Sequence, residues 1–215
     1  MEKFEGIIFD VDGTLTSTNE LIFESFRHVS NKYLGRNFTD EEIIGLFGPT
    51  EDVILKELFL ENYIMVRKDY YDFYSSNHSK MADSYPGIKE IVIKIKKANI
   101  PLSIYTGKGR DSAAITLKEI GIYDYFDMIV SGDDVKDHKP SREGVDMFVD
   151  KFGLNRNNTL LVGDSTVDIK AARNSGIKIA SVVWDSYGKE KVIAMGSDYL
   201  FHTVEEFDDF ISERI

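Results

Sequence analysis

The chain begins with an apolar run that ends in acidic residues. Gly6-Ile7-Ile8-Phe9 leads directly into Asp10-Val11-Asp12-Gly13. A short apolar run of this kind predicts a strand that is buried on both faces, as in a parallel sheet. Open α/β sheets bind ligands at the carboxyl ends of their strands, so Asp10 is expected to face a site, while Asp12 leans over it from the loop. One carboxylate can then act as a nucleophile and the other can move a proton.

From residue 86 onward, strand and helix patterns alternate. The predicted strands cover residues 101–105, 126–130, 159–162 and 178–183, and the predicted helices cover 87–98, 111–120, 142–152 and 167–174. Strict alternation predicts a parallel sheet with helices on both faces. The expected fold class is therefore α/β, with a Rossmann-like parallel sheet as its core.

The segment that follows the first strand has a different pattern. Residues 16–82 show helical apolar spacing throughout, with no alternating strand pattern. Ser17-Thr18-Asn19 offers good N-cap chemistry for a first helix, and Thr39-Asp40-Glu41-Glu42 has the capping-box pattern for a second. We predict a Rossmann-like catalytic core formed by residues 1–15 and 83–215, with a four-helix cap domain inserted at residues 16–82. The hinges are expected at residues 15–18 and 83–86.

Composition narrows the classes of partner. The 215 residues carry a formal net charge of −11, which argues against nucleic acid or an anionic membrane as the main partner. The chain has no apolar run of about 18 residues, so no membrane-spanning helix is expected. Cysteine is absent, which excludes disulfides and thiolate chemistry. The acidic start is unlike a signal peptide, so we expect a cytoplasmic protein. A monomer is expected, with a dimer as the alternative.

Three further polar motifs follow predicted strands. Thr106-Gly107 offers a hydroxyl and backbone N–H groups to a phosphate oxygen, and Lys139-Pro140 supplies a cation. Asp164 and Asp168 are one helical turn apart and share a face. Taken singly, these motifs also fit a plain loop, a surface lysine and a helix cap. Taken together, converging carboxylates repel one another unless a cation is present, and Mg²⁺ with oxygen ligands fits that need and phosphoryl transfer.

In this order, the motifs resemble those of the haloacid dehalogenase superfamily of phosphohydrolases. The resemblance spans almost the whole chain, and the helical insertion is similar to the cap that this superfamily places between its first two motifs. It implies that Asp10 is the nucleophile, which forms an aspartyl-phosphate, and that Asp12 is the general acid and then the base. It also implies that Thr106 hydrogen-bonds the phosphoryl group and that Lys139 balances charge.

The same resemblance implies a bound Mg²⁺ ion. Asp164 would bind the ion directly, with Asp10 and the backbone carbonyl of Asp12 as further ligands. Asp168 would support either the metal or Lys139.

A narrower resemblance concerns the substrate. Asn19-Glu20-Leu21-Ile22, Phe47-Gly48-Pro49 and Asp133-Asp134-Val135 are similar to stretches of the bacterial inorganic pyrophosphatases of this superfamily, and phosphoglycolate phosphatases share most of the pattern. We expect a Mg²⁺-dependent phosphohydrolase acting on a small phosphorylated metabolite or on inorganic pyrophosphate. The alternatives are a phosphomutase of the same fold and a non-catalytic phosphate-binding regulatory protein. The candidate substrate-binding residues are Gly13, Glu20, Gly48 and Gly107.

Several other residues are predicted to have minor or structural roles. Gly107-Lys108-Gly109-Arg110 lacks the spacing of a nucleotide-binding phosphate loop, so Lys108 and Arg110 are expected only to add positive potential near the mouth of the site. His138 is expected to tune its loop. The aromatic residues of the insertion are expected to pack rather than bind; they are Tyr63, Tyr70, Tyr71, Phe73 and Tyr74.

Overall fold

The computed structural model describes residues 3–186 and 188–215, so the first two residues of the predicted core lie outside the described residues. Within these ranges the strands are β1 (Gly6–Phe9), β2 (Thr16–Ser17), β3 (Asp83–Ser84), β4 (Leu102–Tyr105), β5 (Met128–Val130), β6 (Thr159–Gly163), β7 (Lys178–Val182) and β8 (Tyr199–Phe201). The α-helices are α1 (Asn19–Leu34), α2 (Asp40–Leu46), α3 (Glu51–Phe59), α4 (Tyr63–Met81), α5 (Ile88–Lys97), α6 (Arg110–Glu119), α7 (Glu143–Phe152), α8 (Thr166–Ser175), α9 (Lys189–Met195) and α10 (Val204–Ser212). Short 3₁₀ helices cover Leu60–Asn62, Tyr123–Tyr125, Gly132–Asp134 and Arg156–Asn158. None of the described helices combines the length and apolarity needed to cross a lipid bilayer.

The main sheet is parallel and has the strand order β5-β4-β1-β6-β7-β8. β1 lies between β4 and β6, with Phe9 opposite Ile104 on one side and Val162 on the other. The chain therefore builds the sheet outward from β1 in both directions. The carboxyl end of β1 lies at the point where the strand order reverses, which is where open α/β sheets bind ligands. The predicted α/β fold with a Rossmann-like core is confirmed.

Helices cover both faces of this sheet. Ile7 and Phe9 enter an apolar cluster that also contains residues of α5 and α10. Ile8 enters a second cluster, on the opposite face, with residues of α7 and α8. Neighbouring side chains of a strand point to opposite faces, so burial on both faces requires the unbroken apolar run seen in the sequence. This burial fixes β1 and the position of Asp10 directly after it.

Close packing over β4 makes Gly144 intolerant of a side chain. A Cβ at this position would lie 2.4 Å from ring carbons of Tyr105, which is 1% exposed. We expect Gly144→Ala to lower the free energy of unfolding by about 1–3 kcal/mol, as overpacking of a core does. Urea unfolding measures this change. Gly45→Ala is the control, because a Cβ at Gly45 in α2 meets nothing within 4 Å; there, alanine should stabilise the helix. Equal losses in the two variants would contradict the packing argument.

Helices α1 to α4 enclose a third apolar cluster of their own. It contains Phe26 from α1, Leu55 from α3, and Tyr70 and Tyr74 from α4. The helix pattern predicted for this segment is therefore present. The capping box predicted at Thr39 is also present at the start of α2.

The structure corrects the expectation that residues 16–82 are helical throughout. β2 and β3 form an antiparallel ribbon in which Thr16 pairs with Ser84. A two-residue strand is too short to leave an alternating pattern in a sequence, and this one forms because the chain leaves and re-enters the sheet region side by side. The strand predicted from Phe126 begins instead at Met128, because a 3₁₀ helix ends just before it.

The predicted capping chemistry before α1 is also wrong. Thr18 occupies the N-cap position of α1, but its side chain makes no capping hydrogen bond. Its hydroxyl donates to the carboxylate of Asp12 instead. A threonine hydroxyl can accept from a backbone N–H at a helix N-terminus or donate to a nearby side chain. Here it donates to Asp12, in the loop after β1, and does not cap α1.

Candidate active site

Three carboxylates meet at the carboxyl edge of the sheet. Asp10 follows β1, Asp164 follows β6, and Asp168 lies in the first turn of α8. One carboxylate oxygen from each lies within 4.8 Å of the others. β1 and β6 are parallel neighbours, so their ends lie side by side and bring together residues that are far apart in the sequence.

Lys139 places its ammonium group against two of these carboxylates. Its Nζ lies 3.0 Å from Oδ1 of Asp10 and 2.6 Å from Oδ1 of Asp168. The lysine side chain is 5% exposed and that of Asp168 is fully buried, so water and salt screen the pairs little. The ring of Tyr105 lies 5.4 Å from the same Nζ. Lys139 therefore offsets part of the repulsion within the cluster.

Asp168 has both of its carboxylate oxygens engaged. Oδ2 accepts hydrogen bonds from the backbone N–H of Ser165 at 3.1 Å and from its hydroxyl at 2.5 Å, which forms a capping box at the start of α8. Oδ1 accepts from Lys139. The helix-cap interpretation of this residue and its place in the cluster are therefore compatible, because the cap fixes the carboxylate that in turn holds Lys139.

Burial and mutual repulsion raise the pKa of two of the acids. Burial raises the pKa of Asp10 to about 6, against the opposing effect of Lys139. Burial, assisted by the charges of Asp168 and Asp10, raises the pKa of Asp164 to about 8. Burial alone would lower the pKa of Lys139, but Asp10 and Asp168 raise it above the ordinary lysine value. With all three acids ionised, one ammonium group does not balance the charge of the cluster.

Asp12 lies outside this cluster of side chains. Its Oδ1 accepts the hydroxyl proton of Thr18 and lies 3.2 Å from Nζ of Lys108, so the acid is held between the helical insertion and the sheet. The loop turns at Gly13, where φ is +72°. A Cβ at Gly13 would also lie 2.4 Å from Oδ2 of Asp164, so both the backbone angle and the close approach require glycine.

Thr106 and Gly107 directly follow β4, the other neighbour of β1. The backbone N–H of Thr106 donates to the carbonyl of Val130 at 3.0 Å and continues the sheet ladder, which places the threonine at the same edge as Asp10. The hydroxyl oxygen of Thr106 accepts from the backbone N–H of Lys108 at 3.3 Å. No described atom lies within 4 Å of the Cβ position of Gly107, so a ligand can approach this peptide closely.

A sequence profile of haloacid dehalogenase-like hydrolases matches residues 7–182. The chain belongs to this family. Pyrophosphatase PpaX of Bacillus velezensis is 32% identical over 205 residues, which span 95% of each chain. The pyrophosphatase PpaX of Halalkalibacterium halodurans is 31% identical over 208 residues, or 97% of each chain.

Two solved structures superpose on more than nine-tenths of the chain. A crystal structure described as a predicted phosphoglycolate phosphatase from Haemophilus somnus aligns with a TM-score of 0.83 at 22% identity, covering 98% of this chain and 99% of that one. CbbY from Rhodobacter sphaeroides, solved in complex with phosphate, aligns with a TM-score of 0.76 at 21% identity, covering 92% and 93%. At these identities the two structures show the shared fold. The resemblance to the haloacid dehalogenase superfamily is confirmed, and the chain is a hydrolase of that family.

The structure gathers most of the predicted site residues and leaves two apart. Glu20 is exposed in the first turn of α1, and its side chain makes no hydrogen bond or ion pair with another described residue. Gly48 precedes α3, and its carbonyl oxygen lies 3.1 Å from Nδ1 of His138, the residue before Lys139. The residues gathered at the sheet edge or on the loops around it are Asp10, Asp12, Gly13, Thr106, Gly107, Lys139, Asp164 and Asp168.

Two residues near the site are not among those predicted from the sequence. Lys108 is 3% exposed and lies against Asp12, although the sequence suggests only a diffuse positive potential. Glu51, the first residue of α3, reaches the loop after β4: its carboxylate accepts from the N–H of Gly109 at 2.6 Å and from the hydroxyl of Ser112 at 2.7 Å. An acid in the first turn of a helix is ordinary, so no sequence signal marks Glu51. The signal for Lys108 is its place just after the strand-end pair Thr106-Gly107.

The donor atoms at this edge fit a hard divalent cation. Oδ1 of Asp10 is buried and accepts no well-directed hydrogen bond from the described residues, although Nζ of Lys139 lies 3.0 Å away. The carboxylate of Asp164 likewise accepts no hydrogen bond from the part of the chain that the structure describes, and one of its oxygens lies within 4.8 Å of one of Asp10. Carboxylate oxygens that lack hydrogen bonds and carry excess negative charge are the ligands that Mg²⁺ takes in proteins.

Proposed function

We propose that the chain is a Mg²⁺-dependent phosphohydrolase that acts through an aspartyl-phosphate on a small phosphorylated substrate, with inorganic pyrophosphate as the leading candidate. The observation that carries this proposal is the buried Asp10, whose oxygen lies 3.0 Å from Nζ of Lys139 at the sheet's switch point. A carboxylate held there beside a fixed cation is placed to attack a phosphorus atom. Two relatives named pyrophosphatase PpaX, matched over nearly their whole length, favour pyrophosphate.

Asp10 and Asp12 divide the chemistry between them. In the first half-reaction, an oxygen of Asp10 bonds to phosphorus, the bond from phosphorus to the leaving oxygen breaks, and Asp12 gives that oxygen a proton. In the second half-reaction, Asp12 takes a proton from water, the water oxygen bonds to phosphorus, and phosphate leaves Asp10. Lys139 stabilises the negative charge on the phosphoryl oxygens, and Thr106 donates a hydrogen bond to them.

Asp10, Asp164 and the backbone carbonyl of Asp12 would hold the Mg²⁺ ion. When bound, the ion supplies positive charge that draws the phosphoryl oxygens and the Asp10 carboxylate together. Asp168 acts through Lys139, because one of its oxygens pairs with the ammonium group and the other caps α8.

Helices α1 to α4 would act as a cap that closes over the site and excludes water. They have an apolar cluster of their own, and the two-residue strands β2 and β3 lie where the chain enters and leaves this segment. The hydroxyl of Thr50, in the insertion, donates to the carboxylate of Asp133, in the core, at 2.7 Å. A Cβ at Gly132 would lie 2.5 Å from the methyl group of Thr50, so the two segments fit closely.

Phosphate release with and without Mg²⁺ tests the proposal. The substrates are pyrophosphate, phosphoglycolate, sugar phosphates and nucleoside monophosphates, and we expect pyrophosphate to have the highest kcat/KM. A higher kcat/KM for one of the phosphoesters would support the same aspartyl-phosphate chemistry but identify that phosphoester, and not pyrophosphate, as the substrate. Transfer of phosphate between sugar positions without net release would identify a mutase. No turnover of any substrate by protein that binds Mg²⁺ would contradict the proposal and support the regulatory alternative.

Removal of Asp164 is expected to abolish stabilisation by Mg²⁺. A ligand at 100 times its Kd stabilises the folded state by about 2.7 kcal/mol, so the wild type should melt at a higher temperature in Mg²⁺ than in EDTA. Asp164→Asn removes a ligand and also relieves repulsion by Asp10 and Asp168, so its melting temperature should be equal in the two conditions and no lower than that of the wild type in EDTA. Thermal unfolding measures both effects. Asp209→Asn, at an exposed acid of α10, is the control and should respond to Mg²⁺ like the wild type.

A further inference from the structure

The interface between the insertion and the sheet encloses a lysine that the chemistry above does not use. Lys108 lies on the loop between β4 and α6, and its side chain is 3% exposed. Its Nζ has no hydrogen-bond partner within residues 3–186 and 188–215. Oδ1 of Asp12 lies 3.2 Å away and Oε1 of Glu51 lies 3.8 Å away. The ion pair with Asp12 leaves further N–H donors of this buried ammonium group without a partner, and a polar ligand would satisfy them.

The neighbouring acids are already engaged with other donors. Glu51 accepts from the N–H of Gly109 and the hydroxyl of Ser112, which hold its carboxylate beyond hydrogen-bond distance of Lys108. Asp12 accepts the hydroxyl proton of Thr18. The two carboxylates keep the lysine charged without using up its three N–H donors.

Aromatic side chains of α4 form the wall behind Lys108. Nζ lies 5.3 Å from the ring centre of Tyr74, whose hydroxyl is paired with that of Thr116 at 2.8 Å. The ring of Tyr70 stacks on that of Tyr74 at 6.2 Å, and both residues are fully buried. Burial lowers the pKa of Lys108, but Asp12, Tyr74 and Glu51 outweigh it and raise the pKa above the ordinary lysine value. Lys108 is therefore charged and held against rigid rings, where it can donate to a compact anion that lies beside it.

We propose that Lys108 binds the leaving group of the substrate and selects leaving groups that are themselves anions. This inference rests on the proposed function, in which Asp12 protonates the leaving oxygen. The leaving group must therefore depart beside Asp12, where Lys108 is the nearest cation, while Lys139 is paired with Asp10 and Asp168. With pyrophosphate, the Asp10–phosphorus bond forms, the bridging bond breaks, and orthophosphate departs with the proton of Asp12 and its remaining charge facing Lys108. The substrate class is a small phosphoanhydride or phosphoester with an anionic leaving group.

The test compares two kinds of leaving group in Lys108→Met. Pyrophosphate and phosphoglycolate have anionic leaving groups, whereas that of glycerol 1-phosphate is a neutral alcohol. We expect kcat/KM for the first two to fall by at least about 100-fold, as loss of a buried charge contact does, and to fall at least about 10-fold further than kcat/KM for glycerol 1-phosphate, which loses only the support that Lys108 gives to Asp12. Lys118→Met, at an exposed lysine of α6, is the matched control and should behave as the wild type.

Two other outcomes separate this inference from the proposed function. Equal losses on all three substrates would show that Lys108 only positions Asp12 or supports the fold, and would overturn the inference while phosphate release by the wild type upheld the function. No release from any substrate by the wild type would overturn both. Lys108→Arg keeps the charge and serves if Lys108→Met does not fold: selectivity for anionic leaving groups should persist, and its loss would count against the inference.

Discussion

Asp10→Asn is expected to lower phosphate release by at least about 10⁴-fold without unfolding the protein. An amide does not attack phosphorus, so no covalent intermediate forms. The substitution also removes one negative charge from a cluster in which burial raises the pKa of Asp10 to about 6. Because the cost of burying this charge outweighs its attraction to Lys139, the variant should be at least as resistant to urea as the wild type in EDTA. Steady-state phosphate release and urea unfolding on the same preparation measure the two effects.

A variant of Asp12, the proposed general acid, shows whether Asp10 in particular is the nucleophile. Asp12→Asn should also lose turnover, but it removes a group from outside the three-carboxylate cluster and leaves the attacking oxygen in place. The aspartyl-phosphate then forms slowly and is hydrolysed slowly, so rapid acid quench followed by mass spectrometry should detect it in Asp12→Asn and not in Asp10→Asn. Phosphorylation of Asp10→Asn, or turnover near that of the wild type, would show that another residue is the nucleophile.

The cluster at the sheet edge is predictable from the sequence for a topological reason. Asp10 and Asp164 each follow a buried apolar run, and neighbouring parallel strands end at the same edge. Once the sheet is known to be parallel, an acid that follows an apolar run can be placed at the same edge as other acids far away in the sequence. Asp168 is harder to interpret, because its spacing fits a helix cap as well as a site. In the structure, one of its oxygens caps α8 and the other accepts from Lys139.

The interface between insertion and sheet is not predictable in this way. Glu51 meets Gly109 across 58 residues of sequence, and nothing in the pattern of α3 indicates which loop its first turn will face. Periodicity reports which face of an element is buried, not what covers it. Thr18 shows the same limit, because the rule for helix caps is local, whereas the acceptor it uses is Asp12. The contacts of Lys108 with Asp12 and of Glu51 with Gly109 depend on this docking, so only the three-dimensional structure reveals them.

Lys139→Met is expected to destabilise the fold by about 3–5 kcal/mol, the cost of leaving a buried charge without its partner. Asp168 is fully buried and would keep its charge next to Asp10 with no ammonium group between them. Methionine fills a similar volume, so loss of packing adds little. Urea unfolding in EDTA measures the effect, and phosphate release should also fall steeply because the phosphoryl charge loses its cation.

A double-mutant cycle shows whether the loss of stability comes from the unpaired charge of the buried Asp168 or from the absence of the lysine side chain itself. Asp168→Asn removes the charge that Lys139→Met leaves without a partner, so the double variant should recover part of the stability, and the two changes should not add. Lys94→Met is the control: Lys94 pairs with Asp208 where both side chains are more than a third exposed, so the variant should unfold like the wild type. If Lys139→Met proved as stable as the wild type in EDTA, or if the two losses simply added in the double variant, the pairing of Lys139 with Asp168 would not be what stabilises this edge of the sheet.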